Sequence, residues 1–419
     1  MATTKSFEIA RQVVWEAYKR VKANKGAAGV DGESIARFEQ HLKRNLYKVW
    51  NRMSSGSYLP PPVKQVEIPK KSGGKRSLGI PTVADRIAQM VVKLSIEPSV
   101  EPIFHPDSYG YRPGKSAKAA IAVTRKRCWR YDWVVEFDIK GAFDNIDHEL
   151  LMKAVKHHVK ARWMLLYIER WLTAPFETED GVLIPREKGT PQGGVISPLL
   201  MNLFMHYAVD KWLERTHPQC PFARYADDAV VHCRSRAEAE QLLKAISVRL
   251  QACLLTMHPD KSGVVYCKDS NRRMDYAQTQ FTFLGFTFRP RVAVSRAGKK
   301  FTSFLPAVSV DALKRMRQAI KGWMLNHQTY ASLEQLACQY NPVIRGWWNY
   351  YGSYYRTKMR ELYGYLDQRL ATWARRKYRK LKCHKQRSFQ WLGRIANKQP
   401  NLFFHWQMCR SNDWIMGAV

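Results

Sequence analysis

Residues 221–233 read PFARYADDAVVHC, in which two short apolar runs flank the polar step Tyr225-Ala226-Asp227-Asp228. Short β-prone runs joined by a tight polar step are typical of a β-hairpin. The pattern therefore predicts two antiparallel strands with both aspartates at the turn between them.

The two neighbouring aspartates indicate a bound cation, because like charges a few ångströms apart repel unless a cation neutralises them. Mg²⁺ suits such a site, since it takes oxygen ligands and usually one or two protein carboxylates together with substrate phosphates. A third carboxylate is then expected elsewhere in the chain. Asp138 provides it at the end of the β-rich run WVVEFDI, residues 133–139.

The composition is strongly basic, with 69 Lys and Arg against 35 Asp and Glu and a formal charge of +34 over 419 residues. This length accommodates two or three domains, each with its own core. An excess of cations interspersed with 14 Trp and 20 Tyr favours a nucleic acid as the partner. An anionic membrane is the alternative, but no apolar stretch reaches spanning length, so we expect no membrane partner.

Eight cysteines are scattered along the chain. No two of them form a C-x-x-C pair, which argues against a zinc site, and their spacing lacks the density of a disulfide framework. Free thiols indicate a reducing cytosol, and the polar residues 1–32 do not resemble a signal peptide.

The remaining pattern begins with helices to about residue 50, broken by the glycine-rich residues 24–32. That break is either a phosphate loop or a structured turn, and the turn is favoured because no Gly-Lys-Ser/Thr follows it. A strand over 63–68 leads into the basic hairpin tip 70–76, which either closes on a triphosphate or is a solvated loop. From about Phe301 the pattern predicts helices, with eight Lys or Arg and no acid in residues 371–390.

Several motifs occur in the order of a reverse-transcriptase palm: Phe137-Asp138, Phe143-Asp144, Pro191-Gln192-Gly193 and Tyr225-Ala226-Asp227-Asp228. Residues 24–32, 78–81 and 108–114 are similar to the N-terminal and fingers motifs of bacterial group II intron reverse transcriptases, or maturases. Residues 346–351, GWWNYY, resemble their maturase signature. One such motif is weak by itself, whereas five in order are strong.

The resemblance implies an α+β, right-hand polymerase fold with fingers, a palm of antiparallel sheet flanked by helices, and an all-helical thumb and maturase region. Its expected domains are an N-terminal extension (1–62), fingers and palm (63–300), thumb and maturase domain (301–365) and a basic DNA-binding-like region (366–419). Family members often carry a C-terminal nuclease with paired Cys and His metal ligands. No such spacing follows Trp391, so we expect an endonuclease-lacking member.

The resemblance also implies the chemistry of the site. Asp138, Asp227 and Asp228 would be catalytic and, with the backbone of Ile139, would hold two Mg²⁺ ions that clamp the attacking and leaving oxygens. The residues expected to contact the deoxynucleoside triphosphate are Lys70, Arg76, Gly141, Ala142, Phe143, Gln192 and Lys261. Phe143 is either a core aromatic or a gate against the ribose 2′-hydroxyl; at its place five residues after Asp138, the resemblance implies the gate. Lys261 either assists the leaving phosphate or is a surface lysine, and Asp144 is expected to brace the turn.

The predicted nucleic-acid contacts lie mostly in the second half of the chain. Phe283, Leu284 and Gly285 resemble a primer grip, and the aromatic residues 347–351 are expected to be thumb core as well. The predicted RNA- or DNA-binding residues are Arg112, Arg345, Trp347, Arg375, Arg376, Lys377, Arg379, Lys380 and Lys382.

Three functions follow from the resemblance. The first combines an RNA-directed DNA polymerase with a maturase that assists group II intron splicing and retrohoming; its partners are intron RNA, RNA template, DNA primer, deoxynucleoside triphosphates and a DNA target. A polymerase domesticated for host defence or DNA repair is the alternative. A non-enzymatic RNA-binding protein is disfavoured, because all three metal carboxylates are present. The expected location is the bacterial cytoplasm.

Overall fold

The computed structural model describes residues 6–69, 75–295 and 297–409, apart from the side chains of Arg76 and Cys409. The described residues group into two compact units. The first draws on residues 1–120 and 133–264, and the second on residues 121–132 and 265–419.

The helices, in chain order, are α1 Arg11–Ala23, α2 Ile35–Gln40, α3 Leu42–Ser55, α4 Val83–Val100, α5 Ala117–Cys128, α6 Ala142–Asn145, α7 His148–His158, α8 Arg162–Thr173, α9 Ser197–Met205, α10 Lys211–Thr216, α11 Arg236–Ala252, α12 Val310–Gly322, α13 Leu333–Tyr351, α14 Arg360–Lys377, α15 Lys385–Lys398 and α16 Phe404–Cys409. A π-helical segment, His206–Asp210, joins α9 to α10. The strands are β1 Val63–Pro69, β2 Lys75–Ile80, β3 Trp133–Phe137, β4 Phe176–Glu177, β5 Leu183–Ile184, β6 Phe222–Tyr225, β7 Asp228–Cys233, β8 Gly263–Tyr266, β9 Phe281–Phe283, β10 Phe286–Val294 and β11 Lys300–Val308. The α+β class predicted from the sequence is confirmed.

The sheet of the first unit has the strand order β6-β7-β3-β8, and the division between the units falls within β8. Strands β6 and β7 form the predicted hairpin, and β3 runs antiparallel to β7. Val134, Val135 and Val231 are fully buried. Near-continuous apolar strands of this kind are expected where helices cover a sheet, and α11 packs on β3 and β7. The rigid sheet therefore fixes where its strand ends lie.

A second sheet of the first unit has the order β2-β1-β4-β5. The predicted strand near residues 63–68 is β1, and it pairs with β2 so that Ile68 is opposite Arg76. The tip between them, Lys70–Gly74, lies outside the described residues. Side-chain caps begin two helices: the Ser116 hydroxyl accepts the Ala119 amide at 3.1 Å before α5, and the Asp147 carboxylate accepts the Leu150 amide at 2.8 Å before α7.

The second unit combines the sheet β11-β10-β9 with helices α12–α16, whose buried faces share one apolar core. The expectation of helices from about Phe301 is wrong for its first residues, because 300–308 form β11, paired along its length with β10. Phe304 and Pro306 occupy alternate positions, which is the period of a β-strand. The basic and aromatic composition of the segment obscured this period in the sequence. The four predicted domain limits stay predictions. Within the described residues, none of the helices has the length and apolar character needed to cross a membrane.

Candidate active site

The turn between β6 and β7 presents the two aspartates that the sequence singled out. Tyr225 pairs with Asp228, so Ala226 and Asp227 form a two-residue turn. Ala226 is buried and has a φ of +60°, a conformation uncommon for a residue with a side chain. Such a conformation persists only where the surroundings impose it, so the turn has to be held from outside.

Arg224, directly before the turn, provides much of that support. Its guanidinium donates to both carboxylate oxygens of Asp210, at 2.7 and 2.6 Å, and both side chains are 0% exposed. The same guanidinium donates to the carbonyl of Ala226 at 2.8 Å and to the hydroxyl of Ser108 at 2.9 Å. One buried cation thus ties the turn between β6 and β7 to the π-helical segment and to the loop at Ser108.

That loop also touches the turn directly through Gly110. A Cβ built on Gly110 would lie 2.5 Å from the amide nitrogen of Ala226, so a side chain has no room there. The Gly110 carbonyl accepts a hydrogen bond from Asn202 at 2.7 Å. Gly110 of the motif at 108–114 is therefore required by the close approach of two backbone segments.

Asp138 lies at the same end of the sheet as this turn. The last paired residues of β3 and β7 are Phe137 and Ala229, so the next position along the register places Asp138 opposite Asp228. Opposed residues on adjacent antiparallel strands point to the same face. The structure thus brings the predicted acids of two strand ends together, with Asp227 at the adjoining turn.

Asp138 is held by the segment that leads into β8. Its amide donates to the Ser262 hydroxyl at 3.3 Å, and its carbonyl accepts from the His258 amide at 2.8 Å. The Lys261 ammonium contacts its carboxylate at 2.6 Å. Lys261 thus pairs with a carboxylate at the strand ends, and its predicted contact with a nucleotide stays a prediction. A set of carboxylate oxygens with the neighbouring carbonyl of Ile139 fits a hard divalent cation.

The candidate nucleotide pocket follows Asp138. Gly141 begins a tight turn in the left-handed conformation, with φ +57°, and Ala142 and Phe143 in α6 are buried. Phe143 is 7% exposed, and its ring meets Tyr111 edge-on at 6.4 Å. Phe143 is therefore buried with its ring against Tyr111, an arrangement that both a core aromatic and a gate allow.

Gln192 reaches the same turn. Its side-chain amide donates to both oxygens of Asp144, at 3.1 and 3.3 Å, and Thr190 donates its amide to the Phe143 carbonyl at 2.7 Å. The bracing role predicted for Asp144 agrees with these contacts. Gly193, with φ +117°, leaves a Cβ position only 2.4 Å from the Gly79 carbonyl, so the loop at 191–193 lies directly against β2. The side chains of Lys70 and Arg76 are outside the described part of the chain.

Sequence reasoning missed a buried polar cluster behind that loop. Asp85 is fully buried and accepts hydrogen bonds from Tyr58 at 2.9 Å, Trp171 at 2.7 Å and Gln89 at 3.0 Å. Burial raises the pKa of Asp85 to about 6, and its three hydrogen bonds oppose that rise. The side-chain Oε1 of Gln89 in turn accepts a hydrogen bond from the Val195 amide at 2.8 Å. The cluster thus connects α4 to the loop that carries Gln192. The only signal for it in the sequence is a polar residue, Asp85, at the start of the mostly apolar helix α4.

A second group that the sequence did not reveal contains Cys220, Cys233 and Glu238. The two sulfurs are 3.9 Å apart, and the Glu238 carboxylate is 3.3 Å from the Cys220 sulfur. The hydrogen bond to Cys220 and burial raise the pKa of the Cys233 thiol, and the protonated form is a poor metal ligand. Glu238 also accepts the Arg234 amide at 2.7 Å, so its role at the start of α11 is that of a cap.

The predicted primer grip lies in the second unit, at the tight turn between β9 and β10. Leu284 and Gly285 both have positive φ, +51° and +80°. The Tyr350 hydroxyl donates to the Leu284 carbonyl at 2.9 Å, and a Cβ on Gly285 would lie 3.0 Å from the Tyr351 hydroxyl. Phe283 is fully buried. The aromatic maturase signature therefore packs against this turn.

Arg112 requires a correction. Its guanidinium donates to the Glu101 carboxylate at 2.8 Å and to the carbonyls of His105 and Ser108 at 2.7 and 2.8 Å, and its side chain is 6% exposed. A guanidinium occupied in this way braces the loop and does not reach a phosphate. The sequence showed only a cation in a glycine-rich loop, which does not distinguish the two roles.

The other predicted nucleic-acid residues divide into two groups. Trp347 stacks on Trp323 at 5.7 Å, and Lys377 donates to the carbonyls of Thr329 and Ala331, so both take part in packing. Arg375 donates to Thr372 at 3.1 Å and is half-buried. The exposed members of the set are Arg345, Arg376, Arg379, Lys380 and Lys382. Their exposure agrees with the prediction without testing it.

Comparison with known proteins adds two family matches. Residues 68–288 match the family "Reverse transcriptase (RNA-dependent DNA polymerase)", and residues 313–391 match "Group II intron, maturase-specific domain". Protein YkfC of Escherichia coli is 32% identical over 295 residues, which cover 61% of this chain and 77% of that protein. The group II intron-encoded protein LtrA of Lactococcus lactis is 35% identical over 204 residues, 48% of this chain and 33% of that protein. A telomerase structure from Candida albicans has a TM-score of 0.46 at 11% identity, covering 92% of this chain and 69% of that one.

Proposed function

The chain belongs to the reverse transcriptase family of RNA-dependent DNA polymerases and carries a group II intron maturase domain, and from this premise we propose how it extends a DNA primer on an RNA template. Reverse transcriptases use divalent metal ions. The observation that carries the proposal is the register of β3 and β7, which puts Asp138 opposite Asp228 beside a turn that Arg224 holds.

We propose that the metal is Mg²⁺ and that two ions bind. Asp138, Asp227, Asp228 and the carbonyl of Ile139 would hold them, because carboxylate and carbonyl oxygens are the ligands that this hard cation takes. When bound, the ions lower the pKa of the primer 3′-hydroxyl and neutralise the charge of the departing pyrophosphate.

In the proposed reaction the primer 3′-oxygen bonds to the α-phosphorus of a deoxynucleoside triphosphate. The bond from that phosphorus to pyrophosphate breaks, and the hydroxyl proton passes to solvent. The protein contributes position and charge, which supply most of the rate in phosphoryl transfer. Lys261 would leave Asp138 and neutralise phosphate oxygens, with Lys70 and Arg76, while the Gly141–Phe143 turn and Gln192 would hold the nucleotide.

The double variant Asp227→Ala/Asp228→Ala tests this role. Without the turn carboxylates we expect no primer extension above background, whereas RNA binding and intron splicing are retained because they need no chemistry at this site. Asp180→Ala, an exposed carboxylate at another hairpin, is the matched control and should extend normally. Primer extension by the double variant would overturn the proposed site. If the double variant lost splicing as well as extension, the two roles would not be separate.

The maturase domain supports a second role for the same chain. We propose that it binds group II intron RNA, assists its splicing, and takes part in retrohoming to a DNA target in the bacterial cytoplasm. LtrA, which this chain covers over only a third of its length, is named as a group II intron-encoded protein. Sequencing the RNA that co-purifies with the tagged protein from its native cells tests the proposal. One long structured transcript that contains this reading frame is expected; a diffuse mixture of cellular RNAs would favour a polymerase domesticated for defence or repair.

A further inference from the structure

A cleft of about 1080 Å³ opens in the first unit, away from the candidate active site. Its walls come from α7, the end of α9, residues 206–208 of the π-helical segment, α10, the end of α11 with Cys253, and residues 102–103. No residue that we assign to catalysis or nucleotide binding lines it.

Two pairs of cationic or titratable side chains line the cleft. Lys153 and His157 are four residues apart on α7, and Lys211 and Arg215 are four residues apart on α10. Residues at this spacing lie on the same face of a helix. The described residues that line the cleft include no Asp or Glu. Of the two acids beside its α10 wall, Asp210 is fully buried and paired with Arg224, and Glu214 contacts Lys211 at 2.7 Å. The cleft is therefore electropositive.

Arg249 also lines the cleft, but its donors are used within the fold. They reach the carbonyls of Tyr207 at 3.0 Å and Ala208 at 2.9 Å. A π-helical turn leaves carbonyls without their usual helical partners, and such turns are frequent at functional sites. Arg249 thus stabilises the π-helical segment, which sets the position of the Tyr207 ring.

Aromatic surfaces complete the wall. Tyr207 stacks on His158 with ring centres 5.8 Å apart and hydrogen-bonds to it at 2.5 Å, and Trp212 is half-buried beside Lys211. His206, in the same wall, is 1% exposed, and its Nδ1 has no hydrogen-bond partner within the described structure. Burial lowers the pKa of His206 to about 4, so the ring is neutral and retains unused hydrogen-bonding capacity.

We propose that this cleft binds a single-stranded segment of RNA, with phosphates at the two cationic helix faces and a base against Tyr207 and Trp212. A positive groove with aromatic rings is how proteins hold single strands, because every base offers a stacking surface. This inference rests on the proposed function for the identity of the partner as RNA. It adds a second binding surface, separate from the polymerase site, through which a long transcript is retained.

The test uses the full chain with its polymerase site occupied by an excess of annealed primer and template. A 12-nucleotide oligouridine that carries 5-iodouridine is then added and crosslinked by light, and the attachment sites are mapped by mass spectrometry. We expect crosslinks at Tyr207 or Trp212, and at least a fivefold decrease in their yield in Lys211→Glu/Arg215→Glu. In the same variant, the slope of log K for oligouridine binding against log salt concentration should decrease in magnitude by about 1.4. Two cations are lost, and each phosphate that a cation neutralises contributes about 0.7 to this slope.

Arg236→Glu/Lys244→Glu is the matched control, since it reverses two charges on α11 at positions that do not line the cleft. It should leave the crosslinks unchanged. If the charge reversal on α10 prevents folding, Lys211→Gln/Arg215→Gln carries the same test. No crosslink in the wild type, an equal yield in the α10 variant, or full competition by inorganic phosphate would overturn the proposal. Because crosslinking needs no catalysis, absence of primer extension would count against the proposed function alone.

Discussion

The buried pair of Arg224 and Asp210 gives the sharpest prediction, because it supports both the fold and the turn that carries Asp227 and Asp228. Asp210→Asn keeps the shape of the side chain and removes its charge. It turns an acceptor of two guanidinium hydrogen bonds, at 2.7 and 2.6 Å, into a group with one oxygen and a donor that faces Arg224. The guanidinium, 0% exposed, is then left without its counter-charge.

The expected cost is set by that buried cation. Breaking a buried ion pair by removing one partner destabilises a protein by about 3–5 kcal/mol, because the remaining charge is neither solvated nor neutralised. We expect Asp210→Asn to lower the free energy of unfolding by that amount. Urea denaturation, with circular dichroism as the signal, measures this change. Because Arg224 also donates to the Ala226 carbonyl, primer extension should fall in the same variant.

A double variant separates charge from packing. Asp210→Leu/Arg224→Met removes both charges, which is often neutral or stabilising in itself. It leaves the Ala226 carbonyl and Asn202 without a donor, at about 1–3 kcal/mol for a buried group. The double variant should therefore be more stable than Asp210→Asn, yet equally impaired in extension. A change below about 1 kcal/mol in Asp210→Asn, or a double variant less stable than it, would refute this reasoning.

Three further predictions concern the surroundings of the site. Phe143→Ala should raise ribonucleotide incorporation relative to deoxynucleotides by at least about tenfold, because one lost contact in an apolar pocket changes discrimination by about this factor. Competition assays with both substrates measure this ratio, and an unchanged ratio would show that the ring is only part of the core. Gly110→Ala should reduce extension by about 100-fold, because its Cβ meets the Ala226 nitrogen at 2.5 Å, whereas Gly393→Ala, which faces open space, should extend as the wild type does. Folding raises the pKa of Asp85 from 3.8 to about 6, so protonation of Asp85 contributes stability that is complete below about pH 4 and lost as the pH rises through about 6. Relative to Asp85→Asn, the free energy of unfolding of the wild type, measured in urea titrations, should fall by about 3 kcal/mol between these limits. A difference between the two proteins that does not depend on pH would contradict this assignment.

The local parts of the site could be predicted from sequence. Alternating apolar runs around a polar step specify a hairpin, so the positions of Asp227 and Asp228 followed from strand period and turn chemistry. Asp138 followed from the same logic at the end of β3. Both inferences use residues that are neighbours in the chain, which is the range over which sequence patterns are informative.

The supporting contacts could not be predicted, because they join residues that are distant in the chain. Asp210 lies within a mostly apolar helical run, and nothing in its neighbourhood identifies Arg224 as its partner. Asp85 likewise meets Tyr58 and Trp171 only after folding. Arg112 is a further case, because the Glu101 carboxylate and the carbonyls that its guanidinium contacts cannot be identified from the sequence around it. Buried charges need partners, but the sequence does not say which ones.

The close approach of backbones around the loop at 191–193 has a consequence for engineering this chain. Added Cβ atoms at Gly79 and Gly193 would lie within 2.7 and 2.4 Å of their neighbours, so a saturation library should tolerate almost no replacement at either position. The hairpin between β4 and β5 is the opposite case: Asp180 and Gly181 are exposed, and no atom lies within 4 Å of a Cβ at Gly181. Exposed hairpin tips are where inserted sequence is best accepted. An accessory domain or affinity tag that must leave polymerisation intact is therefore best fused into residues 179–181.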